Sequence, residues 1–144
     1  MPVDDELSWA EQRRDAAAEH AATQERRTAA ETRQAREVVV AFVRDAQRAG
    51  IAVRPLTASP YSGRGRYRTA VSGWYIRQNR SLGIGTDAEY YILNVPDSLR
   101  ARLTSAAITP VEPPLVTGAG GRDGESIPLE TLLRMRLEAG NDFP

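Results

Sequence analysis

The sequence predicts an α+β chain: a long amino-terminal helix, a small antiparallel sheet of three or four strands, and two short carboxyl-terminal helices. Three observations carry this expectation. Residues 4–49 hold neither glycine nor proline and are rich in alanine. Residues 67–95 contain three short aromatic and β-branched runs separated by turn-sized gaps. After a proline-rich connector, the last third returns to leucines three and four apart. A chain of 144 residues is long enough for one core with appendages and too short for two ordinary domains.

The first helix has signals at both ends. Pro2, Asp4, Asp5 and Glu6 suit a start, because acids near the unpaired amides complement the positive end of the helix dipole, and Gly50 suits a stop. Its two halves differ in kind. Ala35, Val38, Val39, Phe42, Val43, Ala46 and Ala49 follow the 3, 4, 7 spacing of a docked face. Between residues 10 and 34 only alanines and threonines separate the charges, with Leu7 and Trp9 as isolated large apolar groups. Such a stretch buries little area on its own, since short polar helices gain most of their stability from packing. Residues 1–34 are therefore expected to project or to bind a partner, and residues 35–144 to form one globular α+β domain.

Ile51, Val53 and Leu56 predict a short strand, followed by a loop at 57–65 with Pro60, Gly63 and Gly65 as breakers. Residues 67–77, 80–86 and 89–95 predict an antiparallel meander with turns at Gln78-Asn79 and Asp87-Ala88. Alternation places Tyr67 in the core, Trp74 and Ile76 on one face, and Tyr91, Leu93 and Val95 on one face of the next long strand. The remaining face would carry Tyr75, Arg77, Tyr90 and Asn94, either under a helix or open to a partner. Residues 97–106 predict a helix capped by Asp97 or Ser98, with Leu99 and Leu103 four apart. The prolines of TPVEPPLV make a connector, residues 118–124 a flexible loop, and residues 127–139 a last helix ending at Gly140. Leu129, Leu132, Leu133 and Leu137 mark that helix's buried side. The two carboxyl-terminal helices are expected to cover one sheet face, with Val39, Phe42 and Val43 against Trp74 or Tyr91 and those leucines.

Composition narrows the function more by absence than by presence. There is no cysteine, all 19 basic residues are arginine, and His20 is the single histidine. No thiolate nucleophile, CxxC pair, lysine Schiff base or P-loop can be assembled. His20 has only Glu19 and Asp15 as nearby carboxylates and no second histidine at ligand spacing, so no metal site is expected. In LVTGAGGRDG, Gly118 and Gly120 fit the first two positions of a dinucleotide-binding turn. The third position falls on Asp123, whose charge repels phosphate, and no cofactor is expected. Asp87 and Glu89 lie two apart in a turn, which does not by itself define an acid/base pair. An enzyme using carboxylates and arginine is the third-ranked reading, and the chain is expected not to be an enzyme.

The formal net charge is zero but the charges are segregated. Residues 1–45 hold ten acids and seven arginines, residues 46–86 seven arginines and no acid, and residues 87–144 nine acids and five arginines. The basic island yields the candidate surface: Arg64, Arg66, Arg68, Tyr75, Arg77, Arg80 and Tyr90. Arginines contact phosphate and exposed aromatics stack bases, so residues 54–80 are a candidate single-stranded RNA or DNA surface. The structural alternative is a solvated hairpin edge whose arginines pair with the acidic helices and block aggregation. The leading expectation is a noncatalytic protein-interaction module, its first helix used for self-association or for a protein partner. No apolar run approaches a membrane span, and the start MPVDDELSW is acidic, so the expected setting is cytoplasmic. Arginine in place of lysine, with abundant alanine, points to a GC-rich bacterial genome.

Overall fold

The computed structural model describes residues 2–118 and 126–144, with side chains described from Ser8 onward. The expected loop at 118–124 falls outside the described residues from 119 on. The architecture is α+β: α1 (Pro2–Arg48), β1 (Arg54–Pro60), β2 (Tyr67–Tyr75), β3 (Leu82–Gly85), β4 (Tyr90–Ile92), β5 (Asn94–Val95), α2 (Leu99–Leu103), β6 (Val116–Thr117), β7 (Ile127–Pro128) and α3 (Leu129–Ala139). No helix among the described residues is long and apolar enough to cross a membrane.

Helix α1 runs unbroken for 47 residues because nothing in it breaks a helix. It ends in a Schellman motif. Ile51 N donates to Ala46 O at 3.0 Å and Gly50 N to Gln47 O at 3.2 Å, with Gly50 at φ +68°, where a side chain would be strained. Ala46 and Ile51 then meet in the core, which is the apolar contact that accompanies this cap.

The main sheet has five strands in the order β4-β3-β2-β1-β5. Neighbours are antiparallel except β1 and β5, which pair in parallel through Ser59 with Asn94 and Pro60 with Val95. The two outer strands of that order are consecutive in the chain, separated only by Leu93. Leu93 N donates to Ser81 O at 2.8 Å, and Leu93 O accepts from Ser59 N at 2.7 Å. One short segment thus pairs with the β3 side at its start and with β1 at its end, and the sheet closes on itself. Closure removes the open edges that a flat meander would leave.

Closure corrects the expected meander. The segment 89–95 divides into two strands rather than one, and the strands number five rather than three or four. The first strand also sits later than 51–56. Ile51 belongs to the helix cap, and β1 continues through Thr57–Pro60, the stretch expected to be loop. Pro60 is tolerated because the β1–β2 register ends at Ala58 with Tyr67. The amides directed at β5 are those of Ser59 and Tyr61 on either side of it.

Two faces of the sheet carry two cores. Trp74, Ile76, Ile84 and Tyr90 pack with Val39, Phe42 and Val43 of α1 and with Leu129, Leu132 and Leu133 of α3. Phe42 and Trp74 meet edge to face at 5.8 Å, and Trp74 Nε1 donates to Ile51 O at 3.1 Å. The inner face holds Leu56, Tyr75, Tyr91 and Leu93. Its continuation, Ala58 and Tyr67, is closed by Ala101 of α2 and by Ala106. Gly83 makes room inside, since a Cβ there would lie 2.9 Å from Leu56 and 3.0 Å from Leu93. The two carboxyl-terminal helices therefore serve different cores, α3 the outer and α2 the inner, rather than covering one face. Trp74, and not Tyr91, is the partner of Phe42.

Arg136 was not among the residues expected inside, yet only 5% of it is exposed, while Leu137 is half-buried. Its Nε donates to Tyr75 O and its Nη1 to Gly140 O, both at 2.7 Å, and its guanidinium lies 4.2 Å from the Phe143 ring centre. It ties the end of α3 to the end of β2. Burial, with Arg54 adding like charge, lowers its pKa.

Candidate functional site

Two surfaces stand apart from this core: the first two-thirds of α1 and the loop between β1 and β2. On α1, every described side chain from Ser8 to Gln34 is exposed or half-buried, and Ala35 is the first buried one. Trp9 is 63% exposed. The side-chain hydrogen bond within this arm is local, from Arg26 to Thr23 Oγ1 at 3.3 Å. Where docking begins, Arg36 forms a two-pronged ion pair with Glu112 of the proline-rich connector, its Nε 2.8 Å from Oε2. Hydrogen bonding to Arg36 holds the Glu112 carboxyl below the usual range.

Helical geometry extends the docked line Ala46, Phe42, Val39, Ala35 outward through Thr32, Thr28, Gln24, Ala21 and Ala17. The arm therefore continues the core face with small side chains, interrupted at Gln24. Its charges are divided along its length: residues 1–20 hold six acids and two arginines, and residues 21–34 two acids and three arginines. His20 lies on this arm and is exposed. Among the described residues no three histidine or acidic side chains gather as a metal set.

The loop after β1 presents the other surface. Gly63 at φ +76° and Gly65 at φ +75° adopt backbone that side chains disfavour, so the YSGRGRYR alternation folds tightly, with Arg64 between the two glycines and Arg66 just after them. The loop is pinned by Ser62 N donating to Asp97 Oδ1 at 3.0 Å and Gly63 N to Pro60 O at 2.9 Å. Arg66 is held against Thr57, with Nε on Oγ1 and Nη2 on the main-chain oxygen at 2.8 Å. Arg68 stands opposite Thr57 in the register and is exposed.

Arg102 of α2, 36 positions beyond Arg66, joins Arg64 and Arg66 around one concavity of about 380 Å³, lined also by Gly65 and Tyr67. No acid lines it. Among the described residues no carboxylate lies within ion-pair distance of Arg64, Arg66, Arg68 or Arg102. Asp97 is near enough to feel Arg102. Hydrogen bonding from Ser62, aided by that arginine, holds the Asp97 carboxyl below its usual value. A separate groove of about 600 Å³ is lined by Tyr61 and Gly63 of the same loop and by Ser59 and Asn94 among others, and Tyr61 is 65% exposed.

Of the other members of the expected surface, Arg77 and Tyr90 also line this groove, whereas Tyr75 and Arg80 lie elsewhere. Tyr75 and Tyr90 are 5% and 4% exposed and lie on opposite faces of the sheet, so neither offers an exposed ring. The register explains it: Trp74 pairs with Ile84 and Ile84 with Tyr90, which puts Tyr90 outward beneath α1 and α3, whereas Tyr75 pairs with Gly83 and points inward. Arg77 is half-buried, with Nη2 donating to Thr117 Oγ1 at 3.1 Å. Arg80, at φ +60° in the β2–β3 turn, lies 5.5 Å from the centre of the Tyr75 ring.

The Tyr75 hydroxyl meets Thr57 N at 2.9 Å and Thr57 Oγ1 at 3.1 Å. Burial pushes this phenol up, but the Thr57 hydrogen bonds and nearby Arg66 outweigh it and leave its pKa lowered. Asp87 is a structural acid: Oδ1 accepts from Glu89 N at 3.0 Å and Oδ2 from the Tyr91 hydroxyl at 2.6 Å.

Of the expected arginines, Arg64 and Arg66 gather at the loop, Arg68 stands exposed on β2, Arg77 borders the Tyr61 groove and Arg80 lies over the Tyr75 ring. Arg102 was missed because no local pattern links α2 to a loop that far upstream. Nor do the arginines guard an open edge, because β2 is paired by β1 on one side and by β3 and Ala106 N, donating to Arg68 O at 2.7 Å, on the other. No family model, curated protein or solved structure matches this chain.

Proposed function

We propose that this chain is a noncatalytic protein-interaction module that works through the arm of α1, pairing with a second copy of itself. The observation that carries the reading is a helix continuous with the core that buries no described side chain from Ser8 to Gln34. A polar, alanine-rich helix of this kind is marginal in water without a partner, and association supplies what the fold does not.

The charge division of the arm favours a second copy. In an antiparallel pair, the acidic first part of one arm lies along the weakly basic second part of the other, and the helix dipoles oppose favourably. Ala17, Ala21, Thr28 and Thr32, on the line that continues the docked face, would let the two backbones approach closely. We take the source to be a bacterium with a GC-rich genome, on the arginine-for-lysine and alanine-rich composition.

The test is the solution mass of the full chain over a wide concentration range, alongside Ala17→Glu/Ala21→Glu. Wild type should move from monomer to dimer mass, and the double variant should dimerise at least about tenfold more weakly, since two charges on a close-packed seam cost well over 1.4 kcal/mol. A monomer at every concentration overturns self-association. A dimer unaffected by the substitutions removes the arm from the interface.

A further inference from the structure

We propose that the arginine concavity and the Tyr61 groove, each lined by residues of the 61–66 loop, together bind single-stranded nucleic acid, phosphate at the arginines and an unpaired base against Tyr61. This is independent of the arm. Three features separate it from an ordinary basic surface.

The arginines converge. Arg64 and Arg66 from the loop and Arg102 from α2 line one concavity, and no acid lines it or ion-pairs with them among the described residues. Asp97, the acid that feels Arg102, lies outside the lining. A concave cluster of three arginines with no acid in its lining concentrates positive potential where a phosphate fits, and guanidinium forks match phosphate oxygens in pairs.

Part of the cluster is also preorganised. Arg66 is fixed on Thr57, the loop is anchored to Asp97 and Pro60, and Gly63 and Gly65 hold their turns, so Arg66 and the loop backbone lose little ordering entropy on binding. These arginines have no stabilising task as edge guards, because β2 is internal to the closed sheet.

The aromatic on the same loop is outside the core. Tyr61 is exposed and borders a groove that also carries Ser59 and Asn94, a hydroxyl and a carboxamide able to meet a base edge. Stacking on an exposed ring requires an unpaired base, which favours a single strand over a duplex. An acidic polypeptide would use the arginines and leave Tyr61 and this groove without a role.

The experiment is fluorescence anisotropy of labelled oligo(U) and oligo(dT) with the full chain across a salt series. A duplex and a polyglutamate peptide serve as competing ligands. Single strands should bind, with affinity falling steeply as salt rises. Arg64→Gln/Arg66→Gln/Arg102→Gln should flatten the log–log salt slope by about 2, the release expected for three phosphate contacts on a single strand. Tyr61→Ala should weaken binding roughly tenfold with the slope kept, because stacking releases no counterions.

Arg66 touches Thr57, so Arg64→Gln/Arg102→Gln is run in parallel. Neither of those two side chains makes a hydrogen bond or ion pair among the described residues, and the double variant should still flatten the slope by more than 1. Absence of binding at low salt, or a slope unchanged in both variants, overturns the proposal. So does duplex binding as tight as single-strand binding with no loss in Tyr61→Ala. Polyglutamate bound through the same arginines more tightly than either oligonucleotide would replace nucleic acid with an acidic protein partner.

Discussion

Tyr90 and Tyr91 are chain neighbours on opposite faces of the sheet, and each is held protonated for its own reason. Burial beneath α1 and α3 pushes the Tyr90 phenol up to about 12 against Arg77, which pulls it back. Tyr91 also reaches about 12, through burial first and then its hydrogen bond to Asp87, whose charge opposes a phenolate. Unfolded, both titrate near the ordinary 10.0. Above that pH the unfolded chain releases protons that the folded chain keeps, so the unfolded state binds fewer and stability falls as pH rises between about 10 and 12. Tyr90→Phe removes one of these groups without removing the ring. Denaturant unfolding at about pH 8 and about pH 11 should show wild type losing more stability across that interval than the variant. Equal losses would mean that Tyr90 ionises as freely in the folded chain as in the unfolded one. Alternation in the sequence put these two tyrosines on opposite faces, but that Tyr90 shares a face with Trp74 and not with Tyr75 depended on the pairing of Ile84 with both Trp74 and Tyr90, which no local pattern encodes.

Helix α1 is one element under two regimes, and the boundary near Ala35 has energetic consequences. Phe42 sits at 2% exposure, edge on to Trp74, and Phe42→Ala should cost about 3–5 kcal/mol by lost transfer energy and the cavity left behind. Trp9 is larger but 63% exposed, and Trp9→Ala should change monomer stability by no more than about 0.5 kcal/mol. Urea unfolding at low protein concentration checks both, and a large loss in Trp9→Ala would mean that the arm folds back on the domain. Both regimes were legible in the sequence, because apolar spacing begins at Ala35 and a glycine- and proline-free run needs no tertiary information to be read as helix. The strands were less legible. Pro60 resembles a loop breaker, and only its place just beyond the β1–β2 register makes it compatible with a strand. Leu93 reads as an ordinary strand residue, while its amide and carbonyl bond to segments 12 and 34 positions upstream, at Ser81 and Ser59, and so close the sheet. The arginine cluster follows the same rule: its loop members were visible as an alternation, and Arg102 reaches them only through the docking of α2.

At the scale of the whole molecule, the direction in which two arms would pair decides the shape of the proposed dimer. Residues 2–34 as continuous helix extend about 50 Å at 1.5 Å per residue. A parallel pair would set the acidic stretches of residues 1–20 side by side, six acids and two arginines on each, and would align the two helix dipoles. An antiparallel pair relieves both and leaves a globular domain at each end of the shared rod. The two arrangements scatter differently: domains some tens of ångströms apart give a second maximum in the small-angle pair-distance distribution, whereas a parallel pair gives two domains in contact and one broad maximum. Wild type at concentrations where the dimer dominates should show the second maximum, and dilution toward monomer should abolish it. Raising salt should weaken the antiparallel dimer, because the attraction between exposed arms is screened beyond about 8–10 Å. Association strengthened by salt would mean that repulsion between like charges dominates, and the arms would then be parallel. A single maximum at dimer mass would lead to the same conclusion by geometry alone, and the arginine concavities of the two copies would then lie near one another rather than at opposite ends of the rod.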